Sequence, residues 1–131
     1  MTELEKELLF TDLCGRVPYK PMLQIYWEDM NGDGYFNEEL ASVDNSTGTN
    51  SMYVNDRWIE NVKVYLRPMS SMTEEERMKI ASMANFQNLT KSSEIVKCCY
   101  PIICYCYSRH LDINELIDKG VALEAPEEMY N

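Results

Sequence analysis

The segment from Arg57 to Ala84, RWIENVKVYLRPMSSMTEEERMKIASMA, changes from a strand-like to a helix-like pattern within a few residues. Its first part is an apolar run rich in β-branched residues, which favours a strand. Pro68 ends that run, because proline lacks the amide hydrogen that a sheet interior requires. The segment therefore predicts the point at which a sheet gives way to helices.

The helix start in this segment carries a strong local signal. Thr73 and Glu76 have the spacing of a capping box, in which each side chain accepts a hydrogen bond from the other residue's backbone amide. Glu74 and Glu75 add negative charge at the positive end of the helix dipole. The predicted apolar contacts of this helix are Met78, Ile80, Met83 and Ala84.

The patterns predict a sheet that extends over about residues 22–66, most of it upstream of Arg57. Apolar and polar residues alternate in its first strand, and the Asn-Gly and Asp-Gly steps that follow favour a hairpin turn. The Asn55-Asp56 pair predicts a second tight turn. The parts are a strand at 22–28, a turn at 29–34 (DMNGDG), a strand at 35–43, an exposed and mobile polar loop at 44–51, short strands at 52–54 and 57–59 on either side of Asn55-Asp56, and a last strand at 62–66. We expect a small antiparallel sheet of four or five strands or an SH3-like barrel.

Helices are predicted before and after this sheet in the sequence. The helix at 3–14 has Thr2 and Glu5 as its capping pair. In the C-terminal half, over about 73–120, we expect three helices: one from Thr73, one at 93–110 that Pro101 kinks or breaks, and one at 113–119, started by Asp112 and Glu115 and ended by Gly120. The acidic tail covers 121–131. The whole predicts a single α+β domain over residues 1–131.

Charge and apolar patterning narrow the classes of function. The chain of 131 residues has 12 Lys and Arg against 22 Asp and Glu, a net charge of −10. Such a surface repels nucleic-acid phosphates and anionic lipids and favours a partner with a basic or apolar surface. The start of the chain is acidic, unlike a signal peptide, and the most apolar stretch is too short to span a bilayer. We expect a cytoplasmic protein with reduced cysteines and no membrane association.

Two sets of residues have partial metal-site patterns. Oxygen ligands in the order of an EF-hand calcium loop occur at Asp29, Asn31, Asp33, Asn37 and Glu39. The twelfth position, which should hold the bidentate Glu, is Leu40, and a simple hairpin explains the same residues. On a regular helix Cys99, Cys106 and His110 would share one face and suit zinc, although their spacing fits no common zinc motif and core packing explains buried cysteines.

The sequence contains no convincing catalytic set. Its one histidine, His110, lies among apolar residues and thiols, whereas a reactive cysteine needs an electropositive and partly exposed pocket. Glycine-rich phosphate-binding loops are absent from the sequence. We therefore predict a protein that is not an enzyme and needs no cofactor.

Aromatic residues on the predicted strands provide a candidate binding surface. Tyrosine and tryptophan are enriched at protein interfaces, although they are also common in cores and on sheets. The candidate residues are Tyr26, Tyr35, Tyr53 and Trp58.

Three stretches carry a family resemblance: LLFTDLCGRVPY near the start, VKVYLRPMSSMTEEE in the centre and LIDKGVALEAPEEMY near the end. They resemble a family of small uncharacterised proteins from phages and prophages of gut anaerobic bacteria. The resemblance implies a phage or prophage accessory protein in the cytoplasm of a bacterial host, with no known activity. We expect it to be a macromolecule-binding domain. The alternatives are an inhibitor of a host defence protein, by acidic mimicry or signal sequestration, and a calcium- or zinc-binding module.

Overall fold

The computed structural model describes residues 1–46, 51–86 and 100–130. Two sheets and three helices make up most of the described chain. In chain order the elements are α1 (Glu3–Arg16), β1 (Met22–Asp29), β2 (Gly32–Glu39), β3 (Val43–Ser46), β4 (Ser51–Val54), β5 (Arg57–Trp58), β6 (Val62–Leu66), α2 (Glu74–Phe86), α3 (Tyr100–Ser108) and β7 (Ala122–Glu124). Single 3-10 turns occur at Val17–Tyr19, Ile59–Asn61 and Met69–Ser71. The predicted α+β class is confirmed.

The strands form two separate sheets. The larger has the order β2-β1-β6-β7, with antiparallel pairs except for β6 and β7, which are parallel. The smaller is antiparallel, with the order β3-β4-β5. The expected single antiparallel sheet or SH3-like barrel therefore differs from the structure. The parallel strand of the larger sheet, β7, comes from the stretch predicted as an acidic tail.

The main core lies between α1 and one face of the larger sheet, here called its inner face. The capping box of Thr2 and Glu5 starts α1 as predicted. Leu9 and Leu13 of the helix pack against the buried alternate residues of β1 and β6. These inner-face residues are Leu23, Ile25, Val62, Val64 and Leu66. Burying each such side chain contributes roughly 1.5–3 kcal/mol, so this layer provides much of the stability.

A buried arginine ties α1 to the C-terminal half. Arg16 is 0% exposed and donates to Asp12 at 2.6 Å and to the backbone oxygen of Leu111 at 2.8 Å. Its guanidinium lies 4.4 Å from the ring centre of Tyr107. Close to that ring, Gly15 allows α1 and α3 to approach, because a Cβ at this position would collide with Tyr107.

A second core lies between α2 and α3. It consists of Ala84, Ile102, Cys106, Leu111 and Ile113, with Ile80 and Met83 packed against it. Met78 is 64% exposed, so its predicted apolar contact is wrong. The predicted helix at 93–110 is described only from Tyr100, with Pro101 at its second position, and residues 93–99 lie outside the described residues.

The predicted change from sheet to helix is confirmed. It also contains a cluster of ion pairs around Glu76 that the sequence patterns do not predict. Thr73 and Glu76 form both hydrogen bonds of the capping box, at 2.9 and 3.1 Å. The same carboxylate is 1% exposed and accepts two hydrogen bonds from Arg67, at 2.7 and 2.8 Å. Arg109 donates a third, at 2.8 Å. Glu76 therefore joins the sheet end, α2 and α3.

The predicted helix at 113–119 is wrong, because these residues form consecutive turns. Asp112 does act as a cap, but it accepts from the amides of Leu116 and Ile117 at 2.8 and 2.9 Å. Glu115 has a positive φ of 60°, which ends any helix begun by Asp112. Gly120 has a φ of 78°, the left-handed conformation typical of a helix cap, but residues 113–119 form no helix for it to end.

The predicted tight turn at Asn55-Asp56 is confirmed. Both residues have positive φ, at 50° and 63°, although neither is glycine. The Asn55 side chain accepts from the amides of Ala41 and Ser42 and donates to the Glu38 carboxylate and the Glu39 carbonyl. These four hydrogen bonds link the two sheets and offset the backbone strain.

The predicted bounds of the two segments between 35 and 51 are wrong. The strand expected at 35–43 is β2, which begins at Gly32 and ends at Glu39. Part of the polar loop expected at 44–51 belongs to strands, since Asp44 pairs with Tyr53 and Ser51 begins β4. Cross-strand pairing therefore outweighs the polar composition here, and residues 47–50 lie outside the described residues.

Candidate interaction surface

The larger sheet has an outer face, opposite α1, that presents polar and aromatic side chains. Strand alternation places on it Gln24 and Tyr26 of β1, Tyr35 and Asn37 of β2, and Lys63 and Tyr65 of β6. Tyr35, Asn37 and Lys63 are exposed, and the others are half-buried. The main core draws its sheet residues from the opposite face. Among the described residues the outer face is therefore the accessible side of the sheet.

Tyr26 and Tyr35 form the aromatic centre of this face. They are directly opposite each other in the β1-β2 ladder, and their ring centres lie 5.4 Å apart with a tilt of 59°. Tyr35 is 65% exposed. The Tyr26 hydroxyl donates to Asp33 at 3.0 Å, and this hydrogen bond raises the pKa of Tyr26 to about 12. The hydroxyl therefore remains protonated and holds the Asp33 carboxylate beside the rings.

A shallow depression of about 280 Å³ lies beside this pair. Its lining residues are Gln24, Tyr26, Tyr35, Glu60, Asn61 and Lys63. Glu60 accepts from Lys6 at 2.9 Å, and this contact lowers the pKa of Glu60 and raises that of Lys6. The carboxylate at this edge of the depression thus stays ionised at neutral pH.

The other two predicted aromatic residues form a second pair on the smaller sheet. Tyr53 and Trp58 are opposite each other in the β4-β5 ladder, with ring centres 5.0 Å apart. Trp58 is 52% exposed and lines a second depression, of about 260 Å³. Glu60 lines this depression as well as the first. The four predicted residues therefore form two pairs, with Glu60 lining the depression beside each.

The predicted hairpin at DMNGDG is confirmed, with Met30 and Asn31 between the paired residues Asp29 and Gly32. The calcium-loop residues do not converge. Asp33, Asn37 and Glu39 follow one another along β2, where alternate residues are about 7 Å apart, while Asp29 accepts from the amide of Asn31. Throughout the described ranges, no three Asp, Glu, His or Cys side chains are placed to hold a metal ion.

The structure tests the zinc hypothesis only in part, because Cys99 lies outside the described residues. Cys106 is buried, and burial raises the pKa of its thiol to about 11. The ring of His110 stacks on Tyr130 at 3.9 Å, and burial lowers the pKa of His110 to about 4. At neutral pH these groups are a thiol and a neutral imidazole.

The C-terminal Tyr130 is a residue that the sequence patterns do not single out. Its hydroxyl accepts from the amide of Met22 at 2.8 Å and donates to the carbonyl of Tyr65 at 2.7 Å. Burial raises the pKa of Tyr130 to about 12, so the donor is retained. Tyr130 thus bridges β1 and β6 where their direct pairing stops, and it supports the edge of the outer face.

No family model, curated protein or solved structure matches the chain. The phage-family resemblance therefore stays a prediction. No helix within the described ranges is long and apolar enough to cross a membrane.

Some residues of the surface were not predicted from the sequence. The alternation at 22–28 places Gln24 on the same face as Tyr26, so strand periodicity was a usable signal for it. Glu60 and Asn61 gave no such signal, because their positions depend on the 3-10 turn between β5 and β6. Lys63 could be assigned to this face only once the pairing of Gln24 with Lys63 was known.

Proposed function

We propose that this protein is a non-enzymatic module that binds a basic protein surface through the outer face of its larger sheet. The observation that carries the proposal is the pair formed by the half-buried Tyr26 and the exposed Tyr35, with the Asp33 carboxylate held beside it. Aromatic rings and carboxylates together favour Lys and Arg side chains, by cation–π contact and by charge. The net charge of −10 supports the same class of partner.

The biological setting rests on the resemblance of the three stretches quoted above. It supports an accessory protein of a phage or prophage, acting in the cytoplasm of a bacterial host. The high negative charge also favours a second candidate function, inhibition of a host defence protein by occupying a basic cleft. Such mimicry depends on overall charge, whereas docking on the outer face depends on Tyr35.

Capture from bacterial lysate tests the proposal. The wild-type protein, Tyr35→Thr and Tyr100→Ser are immobilised, and bound proteins are identified by mass spectrometry at about 50 mM and about 500 mM salt, concentrations that change charge screening strongly. Threonine suits a strand, and Tyr100 is a still more exposed tyrosine on α3. We expect a net-positive partner that the Tyr100 variant retains and the Tyr35 variant loses.

The alternatives give different patterns in the same experiment. Acidic mimicry predicts a partner that all three proteins capture equally at low salt and release at high salt. Capture of no protein by the wild type at either salt contradicts both binding roles.

A further inference from the structure

Strand β2 is an edge of the larger sheet. It pairs with β1 on one side, and in the described part of the chain no strand pairs with its other side. An edge strand presents unpaired backbone amides and carbonyls, to which an extended segment of another chain can add. This edge adjoins the surface proposed above for partner binding.

The backbone groups that point away from β1 follow from the hydrogen bonds around β1. The Met22 amide points toward β6, because it donates to the Tyr130 hydroxyl that bridges to Tyr65. Successive residues of a strand alternate in direction, so Leu23 and Ile25 face β2 and bond to their partners Glu38 and Phe36. The alternate β2 residues, Asp33, Tyr35, Asn37 and Glu39, therefore direct their amides and carbonyls outward.

One bond in the structure agrees with this assignment. The Asn55 side chain donates to the backbone oxygen of Glu39, which must point away from β1 to be reached. That bond occupies one end of the edge. Within the described ranges, the backbone groups of Asp33, Tyr35 and Asn37 remain open to a further strand.

The charge of the hairpin determines which kind of extended segment can pair with the free edge of β2. Residues 28–39, EDMNGDGYFNEE, contain five carboxylates and no Lys or Arg. Two copies of β2 placed side by side would bring like charges together, which disfavours self-pairing. A segment with cations at alternate positions would instead place them beside Asp33, Tyr35 and Glu39 on the outer face. Its intervening residues would lie beside Gly34 and Phe36.

The following inference rests on the binding role proposed above. We propose that the partner adds an extended segment, with Lys or Arg at alternate positions, to the free edge of β2. Backbone hydrogen bonds to Asp33, Tyr35 and Asn37 hold the segment in register. The carboxylates of the hairpin and the Tyr26-Tyr35 rings select the cations.

A synthetic peptide of alternating Lys and Val, as long as the segment from Asp33 to Glu39, is the probe. Its binding is measured by fluorescence anisotropy against two control peptides, one with alternate backbone amides methylated and one with Glu in place of Lys. We expect binding only by the unmodified Lys peptide. Hydrogen exchange at the amides of Tyr35 and Asn37 should slow when it binds, because those amides then become donors.

A pair of variants at Asn37 isolates the backbone amide. Asn37→Pro removes an outward amide without removing a hydrogen bond to β1, whereas Asn37→Ala keeps the amide and removes the side chain. We expect Asn37→Pro to weaken binding about fivefold or more and Asn37→Ala to leave it nearly unchanged. Hydrogen exchange of β1 amides verifies that both variants keep the sheet.

Three outcomes would overturn the inference. Equal binding of the methylated peptide would mean that side chains alone make the contact. A wild-type dimer that Asn37→Pro dissociates would mean that a second copy occupies the edge. Failure of the Lys peptide, together with a lysate partner that still depends on Tyr35, would reject strand addition and leave the proposed function standing. Loss of the Tyr35 dependence would reject the proposed function itself.

Discussion

Replacing Glu76 with glutamine is expected to lower the free energy of unfolding by about 3 kcal/mol. The carboxylate is buried and accepts hydrogen bonds from Arg67, Arg109 and the Thr73 amide. Glutamine has one acceptor oxygen, and its NH2 group would face donors where the carboxylate now accepts. The variant therefore leaves two arginines without their counter-charge.

The size of this loss in stability depends on how much hydration the two arginines can regain. Removing one partner of a fully buried ion pair costs about 3–5 kcal/mol. The Arg67 and Arg109 side chains are 20% and 51% exposed, so both can regain some hydration after the change. We therefore expect the lower end of that range.

The same carboxylate gives the stability a defined pH dependence. The hydrogen bonds from Arg67, which outweigh the opposing effect of burial, hold the pKa of Glu76 below its usual value. As the pH falls, the unfolded chain takes up this proton before the folded protein does. The stabilisation is complete at neutral pH, and it begins to decline near the unfolded pKa of about 4.3.

Urea unfolding between pH 7 and pH 3, monitored by tryptophan fluorescence, measures both effects. Glu75→Gln is the matched control, because it removes the same charge from an exposed neighbour in the same helical turn. The control should change stability by less than about 0.5 kcal/mol. The difference between wild type and Glu76→Gln should shrink below about pH 5. Equal stability of the two variants at pH 7, or a difference that does not change with pH, would refute the role of Glu76.

Changes at three further positions test other parts of the fold by the same unfolding measurement. Asn55→Gly should lower the free energy of unfolding by about 2 kcal/mol, because it removes four hydrogen bonds. Asn55→Ala should lower it by about 1 kcal/mol more, because alanine disfavours positive φ, and equal losses for the two variants would contradict the backbone argument. Tyr130→Phe should cost about 1–3 kcal/mol, because it leaves the Met22 amide and the Tyr65 carbonyl without their bridge, and an unchanged stability would show that the bridge is dispensable. Gly15→Ala should destabilise by about 1–3 kcal/mol through its collision with Tyr107, and a stabilised variant would mean that α3 yields to the added methyl group.

Local patterns predicted the parts of the fold that depend on neighbouring residues. The alternation in β1 and the capping boxes of α1 and α2 involve groups within a few positions of each other, so sequence spacing determines them. The second role of Glu76 was not predictable in this way. Arg67 and Arg109 meet its carboxylate only after the sheet and both helices have packed together.

The errors arose where distant pairing or backbone conformation overrides a local signal. β7 is short and lies in an acidic stretch, and its strand conformation depends on parallel pairing with Val64 and Leu66. Asp112 and Glu115 have the spacing of a capping box, yet the left-handed conformation of Glu115 prevents a helix. For the candidate surface, the sequence provided the aromatic residues, whereas their arrangement as two pairs required the register of both sheets.

The bridge made by Tyr130 affects the order in which the protein folds. It joins β1 to β6 through a residue 108 positions after Met22 and 65 positions after Tyr65. Contacts between residues so far apart in sequence form slowly, because the intervening chain must first be ordered. During synthesis on the ribosome, the β1-β6 seam stays incomplete until residue 130 has emerged. The sheet that carries the proposed binding surface therefore gains this bridge only after residue 130 has left the ribosome.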